Sequence, residues 1–321
     1  MTLDIIVPHY DEPWEEGKKL FDMLALQRDI DFSDFRVILV DDGGEHDVFP
    51  DVIRQKYPYD VTGIQIPHGG VSAARNAGMD HSGAKWILFH DFDDMFTSVY
   101  ALRGIFDVLG TEDYDMLWTP FYVEVNEARK RQTKEEMNLV FIHGKIFRRD
   151  FLVNHGIRFC EELYFSEDTA FCAVVDMEID HERIGKIKSE IVPYVWTFRP
   201  GSITTDPGKG YANAVGLFRR QTYVAEEARK RGDMEHFRGY VARAACDAYV
   251  TICRTDRDWD TTEFRAEALA YLREHLEDLA AAPAETVKAA LRGSIREGSL
   301  REKPEISLED WLNNFVGEVV T

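Results

Sequence analysis

The sequence predicts an α/β fold: a mostly parallel sheet with helices on both faces, followed by a C-terminal helical region. Three observations carry that expectation. Short, continuous apolar runs, DIIVP (4–8), FRVILV (35–40) and KWILFH (85–90), alternate with stretches of helical spacing, as strands buried on both faces do. Acidic clusters follow two of those runs, Asp41-Asp42-Gly43-Gly44 and Asp91-Phe92-Asp93-Asp94, at the strand edge where α/β sheets bind ligands. From about residue 210 onward the chain is Ala-, Arg- and Glu-rich with helical apolar spacing.

Each element follows from its residues. The run 4–8 ends at Pro8, where a buried strand empties into a loop. Leu20, Phe21 and Leu24 place a helix over 14–28. A second strand over 35–40 stops at the Asp-Asp-Gly-Gly turn, and a helix over 47–56 leads to a third strand around 61–66. Residues 71–81 read as a helix led by Ser72, and 85–90 as a fourth strand. Val99, Leu102, Ile105, Phe106 and Leu109 predict an amphipathic helix. DMLWTPFYVEV (115–125) reads as one strand interrupted at Pro120, and the charged stretch 126–136 as an exposed loop. Residues 139–147 return to a strand or turn, 148–155 to a short helix, 168–177 to a helix and 190–198 to a strand. Pro200, Gly201, Pro207, Gly208 and Gly210 mark a boundary, giving an α/β domain over 1–207 and helices over 208–321, within 212–253, 261–279 and 284–294.

Composition narrows the function. The 321 residues carry 58 acidic against 38 basic side chains, a formal charge of −20. Such a surface repels nucleic-acid phosphates and anionic lipid head groups, and Lys130, Arg131, Arg148 and Arg149 are too few to make a nucleic-acid footprint. Cys160, Cys172, Cys246 and Cys253 form no C-x-x-C pair, so buried free thiols are expected. Met1-Thr2-Leu3-Asp4 shows no basic, signal-like start, and no window holds the ~20 apolar residues of a membrane span. The expected location is cytoplasmic, with any attachment to the inner face of the membrane peripheral.

Four elements carry chemistry, and each taken alone also has a plain structural reading. Asp91, Asp93 and Asp94 repel one another unless a cation joins them, and hard divalent ions take oxygen ligands and substrate phosphates; the same residues could simply form a solvated turn. Asp41 and Asp42, with glycines that allow close backbone approach, could accept hydrogen bonds from a nucleoside or just end a strand. Gly69 to Gly78 suits a helix start with Arg75 as the available cation for a phosphate or base carbonyl. Ser166-Glu167-Asp168 sets carboxylates at a helix start, where the dipole favours the ionised form a general base needs.

In this order and spacing the four elements resemble the family-2 glycosyltransferases of the Rossmann-like GT-A fold. IIVPHYDE, VILVDDGG, GGVSAARNAGM, KWILFHDFDD, HGKIFRRDFL, SEDTAF and YVWTFRPGSIT look like that family's ordered motifs, over about residues 3–205. The resemblance implies a nucleotide-sugar donor, a UDP-sugar first, and Mn²⁺ or Mg²⁺. It implies that Asp42, or Asp41 in its place, binds uracil or ribose with backbone around Pro8–Tyr10. Arg75 would contact the nucleotide, Asp93 would ligate the metal, and Asp91 would ligate the metal or approach the donor sugar. Asp94 would support them from behind. Asp168, with Glu167 beside it, would be the base in an inverting transfer to a hydroxyl of a glycan or glycolipid.

The sequence departs from the pattern at Phe92, where serine is common, and lacks the proline that often follows the motif. His9 and His90 stand where neutral residues are usual, His143 precedes the Gly-Lys segment, and each reads as a buried, hydrogen-bonded histidine. Trp118, Phe121, Tyr122, Tyr164, Phe165 and Trp196 crowd the acceptor side, where one or two rings could stack on a sugar. Competing readings are a nucleotidyltransferase, which the acidic PHYDEPWEE loop opposes, a non-catalytic binder of nucleotide-sugars or carbohydrates, and a glycosyltransferase acting on a nucleic-acid base. The helices after 208 would serve as a cover, a homo-oligomer surface or an acceptor site.

Overall fold

A computed structural model describes residues 1–109, 111, 113–124, 130–134, 137, 139–187, 194–199, 207–253, 258–297 and 306–317. The chain divides into two compact units, Met1–Glu162 with Glu167–Pro200, and Leu163–Ser166 with Gly201–Thr321.

The first unit is built on β1 (Leu3–His9), β2 (Phe35–Asp41), β3 (Asp60–Gln65) and β4 (Trp86–Phe89), with α1 (Trp14–Ala25), α2 (Phe49–Gln55) and α3 (Gly70–His81) between them. β1 pairs in parallel with β2 and β4, and β2 with β3. Every residue of β1 is buried, which explains its unbroken apolar run. Successive side chains of a strand face opposite ways. Leu3, Ile5 and Val7 join one core with Leu20, Phe21 and Leu24 of α1. Ile6, on the other face, meets α3 at Gly78, where a Cβ would come within 2.4 Å of its side chain. Helices therefore cover both faces, and Gly78 is what lets α3 lie close to the sheet.

Beyond β4 the chain forms β5 (Met95–Phe96), α4 (Ala101–Phe106), β6 (Met116–Trp118), β7 (Phe121–Glu124), β8 (Arg131–Lys134), β9 (Lys145–Arg148), α5 (Arg149–Asn154), α6 (Glu167–Glu178), β10 (Ile184–Lys186) and β11 (Tyr194–Trp196). The main sheet runs β10-β6-β9-β4-β1-β2-β3, with β9 antiparallel to both neighbours. A second sheet runs β5-β11-β7-β8.

Three expectations need correction. The stretch 115–125 is two strands in two different sheets: β6 leaves the main sheet at Trp118, and β7 begins after Pro120, which has no N–H to give a ladder. Part of the expected loop 126–136 is strand, since β8 pairs antiparallel with β7; residues 125–129, 135 and 136 lie outside the described ones. The helix expected through Leu109 is regular only over Ala101–Phe106. Of the strand expected over 190–198, Tyr194–Trp196 is described as strand and 190–193 lie outside the described residues, as do 200–206 at the expected boundary.

The second unit contains α7 (Gly210–Lys230), α8 (Met234–Cys253), α9 (Thr262–Glu274), α10 (Leu276–Ala281), α11 (Ala284–Glu297) and α12 (Leu308–Gly317). Its core joins Phe218 of α7, Ala244, Ala245 and Ala248 of α8, and Phe264, Ala268 and Leu272 of α9. Gly216 of α7 lies against Phe165, where a Cβ would approach the Phe165 Cβ to 2.9 Å. All four cysteines are free thiols. No described helix is long and apolar enough to cross a membrane.

Candidate active site

The expected binding residues of the first strands gather where β1 and β2 end. Asp42 follows β2 and is 2% exposed, yet both its carboxylate oxygens are engaged. It accepts from the backbone N–H groups of Gly69 and Gly70 at 2.8 Å each, and from His68 Nδ1 at 2.9 Å. Asp42 thus anchors the turn that starts α3, a turn Gly70 permits with φ +86°. Asp41 accepts from His9 Nδ1 at 3.2 Å and from Gln65 Nε2 at 3.1 Å. Pro8 is buried within β1, whereas Tyr10 is 45% exposed and stacks on His68 with ring centroids 4.3 Å apart. A flat, accessible aromatic surface therefore borders the two aspartates.

The acidic turn 91–94 leaves β4 alongside. Its three carboxylates have different surroundings. Arg75 of α3 donates from Nη2 to Asp91 Oδ1 at 2.9 Å and from Nη1 to Glu167 Oε1 at 2.8 Å. Burial is the largest influence on Asp91 and opposes its ionisation, but the Arg75 charge and hydrogen bond, together with His143 and His90, hold the carboxyl below its usual range. Asp93 faces Arg199 at 3.4 Å, and burial with the nearby Asp91 charge still pushes it up to about 6. Asp94 is 1% exposed and accepts from the Thr197 backbone at 2.7 Å and from the Tyr194 hydroxyl, which ties the turn to β11. Burial and the charges of Asp91 and Asp93 raise its pKa well above the ordinary value.

Phe92, the departure within the acidic turn, is 2% exposed and packs on α1 at Gly17, where a Cβ would fall 2.1 Å from the ring. His9 meets the same ring edge-on, with centroids 4.7 Å apart, and so joins the Asp41 region to the acidic turn.

Glu167 and Asp168 open α6. Asp168 Oδ1 accepts from the Thr169 N–H at 2.7 Å, and Thr169 Oγ1 is tied to the Val140 carbonyl at 2.9 Å. Burial and the neighbouring Glu167 raise Asp168 to about 7, against the opposing pull of Arg75. Lys145 of β9 is 2% exposed and donates to the Phe141 carbonyl; burial lowers its pKa.

Asp91, Glu167 and Asp168 are thus brought together around Arg75, with Asp93 on the same turn as Asp91, while Pro8, Tyr10, Asp41 and Asp42 form an adjoining group. The sequence singled out Arg75 as a nucleotide contact but not as the link between the two carboxylates. It also missed Arg199, which pairs with Asp93 and with Glu12 at 3.3 Å and Glu16 at 3.6 Å. The only signal for Arg199 was its place in the YVWTFRPGSIT segment.

The acidic turn fits a divalent cation. Ligand atoms of Asp91, Asp94 and His143 lie within 4.8 Å of one another, a group that brings in Asp94 and His143 but not Asp93, the ligand expected from the sequence. The His143 Nδ1 atom is buried with no hydrogen-bond partner among the described residues, and burial lowers the ring's pKa to about 4, leaving the neutral imidazole a metal requires. Burial first, and neighbouring carboxylates second, raise the pKa of Asp93 and Asp94, so a cation bound beside them would favour their ionised forms.

An α/β sheet with acidic turns at its strand ends, an accessible aromatic surface beside them and a carboxylate of raised pKa opening a helix is the framework of a group-transfer enzyme. Residues 4–173 match the model of Glycosyl transferase family 2, and the chain belongs to that family: it is a glycosyltransferase. Among its relatives is the uncharacterized glycosyltransferase EpsJ of Bacillus subtilis (strain 168), 27% identical over 78% of this chain and 75% of the relative. The minor teichoic acid biosynthesis protein GgaA of the same organism is 28% identical over 52% of this chain and 41% of its own length. Among solved structures, S. aureus TarS residues 1–349 with UDP shares the fold with a TM-score of 0.61 at 20% identity, over 96% of this chain and 95% of that one. The mannosyltransferase PcManGT from Pyrobaculum calidifontis, with GDP-Man and Mn²⁺, has a TM-score of 0.50 at 15% identity, over 94% and 88%. These likenesses fix the GT-A fold with added C-terminal helices.

Proposed function

We propose that this glycosyltransferase moves a sugar from a UDP-sugar to a hydroxyl of a cell-surface glycan or glycolipid, with inversion at the anomeric carbon. The observation that carries the reading is the Asp91–Arg75–Glu167 bridge, because it holds the acidic turn and the Asp168 helix start at one site. Asp41 and Asp42, with Pro8 and Tyr10, border the nucleoside side. Asp93 and Asp91 are the carboxylates assigned to Mn²⁺ or Mg²⁺. Such an ion, when bound, would offset negative charge on the departing diphosphate.

Asp168 accepts the proton of the acceptor hydroxyl as that oxygen bonds to the anomeric carbon. The bond from that carbon to the diphosphate breaks, and its electron pair leaves with UDP. The raised pKa of Asp168, about 7, suits a base that must both hold and release a proton near neutrality. UDP as the nucleotide is favoured by the UDP and UDP-GlcNAc complexes of TarS, and a glycan acceptor by the likeness to GgaA, a minor teichoic acid biosynthesis protein.

The test is nucleotide release from UDP-, GDP- and dTDP-sugars with and without Mn²⁺. Release from a UDP-sugar that needs the metal and disappears in Asp93→Ala is expected. Equal release from all three nucleotides, or full activity in a chelator, would refute the donor and metal assignments respectively.

A further inference from the structure

Arg75 is 3% exposed, and its two terminal nitrogens are both committed to carboxylates from distant parts of the chain. Asp91 stands at the end of β4 and Glu167 at the start of α6, so one planar guanidinium spans the donor side and the base side. The group is held from beneath, where its carbon lies 5.1 Å from the centre of the Phe159 ring. Phe159 is itself fixed by the next residue of α3. Asn76 donates to the Phe159 carbonyl at 2.9 Å and accepts from its N–H at 3.0 Å. Asn76 also donates to Glu161 at 2.8 Å, and Arg158 grips Asp80 at 2.7 and 2.9 Å. One face of α3 therefore clamps the segment that approaches α6 as well as the helix start itself.

A guanidinium in this setting cannot shed its charge, and losing either of the two carboxylate bonds would leave a buried charge half paired. We infer that Arg75 is a positioning residue, a strut that sets the base at Asp168 against the donor held near Asp91 by acting through Glu167. This rests on the functional reading given above. A lysine keeps the charge but not the fork, so it cannot hold both carboxylates in this geometry. A misplacement of about 1 Å between reacting groups costs on the order of 10²-fold in rate.

The experiment uses the full chain with Mn²⁺ and the UDP-sugar: Arg75→Lys, Glu167→Gln and the double variant. Each single change is expected to lower kcat on the order of 10²-fold while leaving UDP affinity, measured by calorimetry, within about threefold of wild type. The double variant should be no worse than the poorer single one, because both break the same strut. Multiplied losses in the double variant would overturn the inference. So would an Arg75→Lys protein that binds UDP about tenfold more weakly yet keeps kcat at saturation, the signature of a nucleotide contact. If Arg75→Lys does not fold, Glu167→Gln decides alone, and an unchanged kcat there refutes the strut. A turnover-free arm compares amide exchange. Faster exchange over Glu167–Ala170 in either single variant, with β4 unchanged, is expected, and unaltered exchange would overturn the inference. Absence of UDP-dependent transfer in the wild type would instead sink the functional reading, and the exchange arm would still decide the strut.

Discussion

Asp168 shows how a single carboxyl is tuned by opposing neighbours. Burial and Glu167 raise it to about 7 while Arg75 pulls the other way. In the proposed role of base it must be ionised, so kcat is expected to fall as pH drops below about 7. Asp168→Asn should lose transfer by ~10²–10⁴-fold with UDP binding kept, and full transfer in that variant would show that the base lies elsewhere. Stability carries the opposite sign. Asp93 and Asp168 are raised from 3.8 to about 6 and about 7, so over that window the folded state holds protons the unfolded state has lost. The melting temperature of the metal-free protein should therefore decline as pH climbs through that range, with Mn²⁺ restoring part of it. Thermal melts across the range check both parts. At this scale the sequence was informative about residue types at strand ends. It could not show that Asp42 spends its oxygens on Gly69 and Gly70, because that depends on a turn conformation and on burial.

Elements were legible where apolar runs were continuous. β1, β2 and β4 read directly because their side chains are buried on both sides. β8 did not: RQTK has no apolar period, and it belongs to a sheet only through backbone pairing with β7. The change of sheet between β6 and β7 was equally hidden, since a strand's sequence records that it is buried, not which neighbour covers it. Phe92 is explained at this level. Its ring occupies the space that Gly17 leaves open on α1, which seats the acidic turn against a rigid helix. Gly17→Ala should therefore displace the ring and destabilise the fold by about 1–3 kcal/mol. It should also weaken Mn²⁺ binding, since Asp91 and Asp93 flank the displaced residue. Denaturant unfolding and metal titration together check this, and an unchanged metal affinity would show that the turn is held without Phe92.

The helical composition after residue 208 reads plainly from the sequence; its connection to chemistry does not. The four residues Leu163–Ser166 belong to the helical unit, and Glu167 follows them directly in the chain. Phe165 rests on Gly216 of α7, and Ser166 adopts φ +61°, a left-handed turn immediately before the helix that carries Asp168. Gly216→Val should push Phe165 away and, through that short link, reduce transfer more than it reduces UDP affinity. Steady-state kinetics beside calorimetry would show it, and equal loss of both would point to general unfolding. Leu163–Ser166 thus go with the helices although they precede the boundary near residue 207 that composition suggests. For anyone recombining enzymes of this kind, the C-terminal helices are not an interchangeable module. A chimera joined at one crossover would inherit a foreign tail beside a native 163–166, and a working exchange must transplant both pieces together.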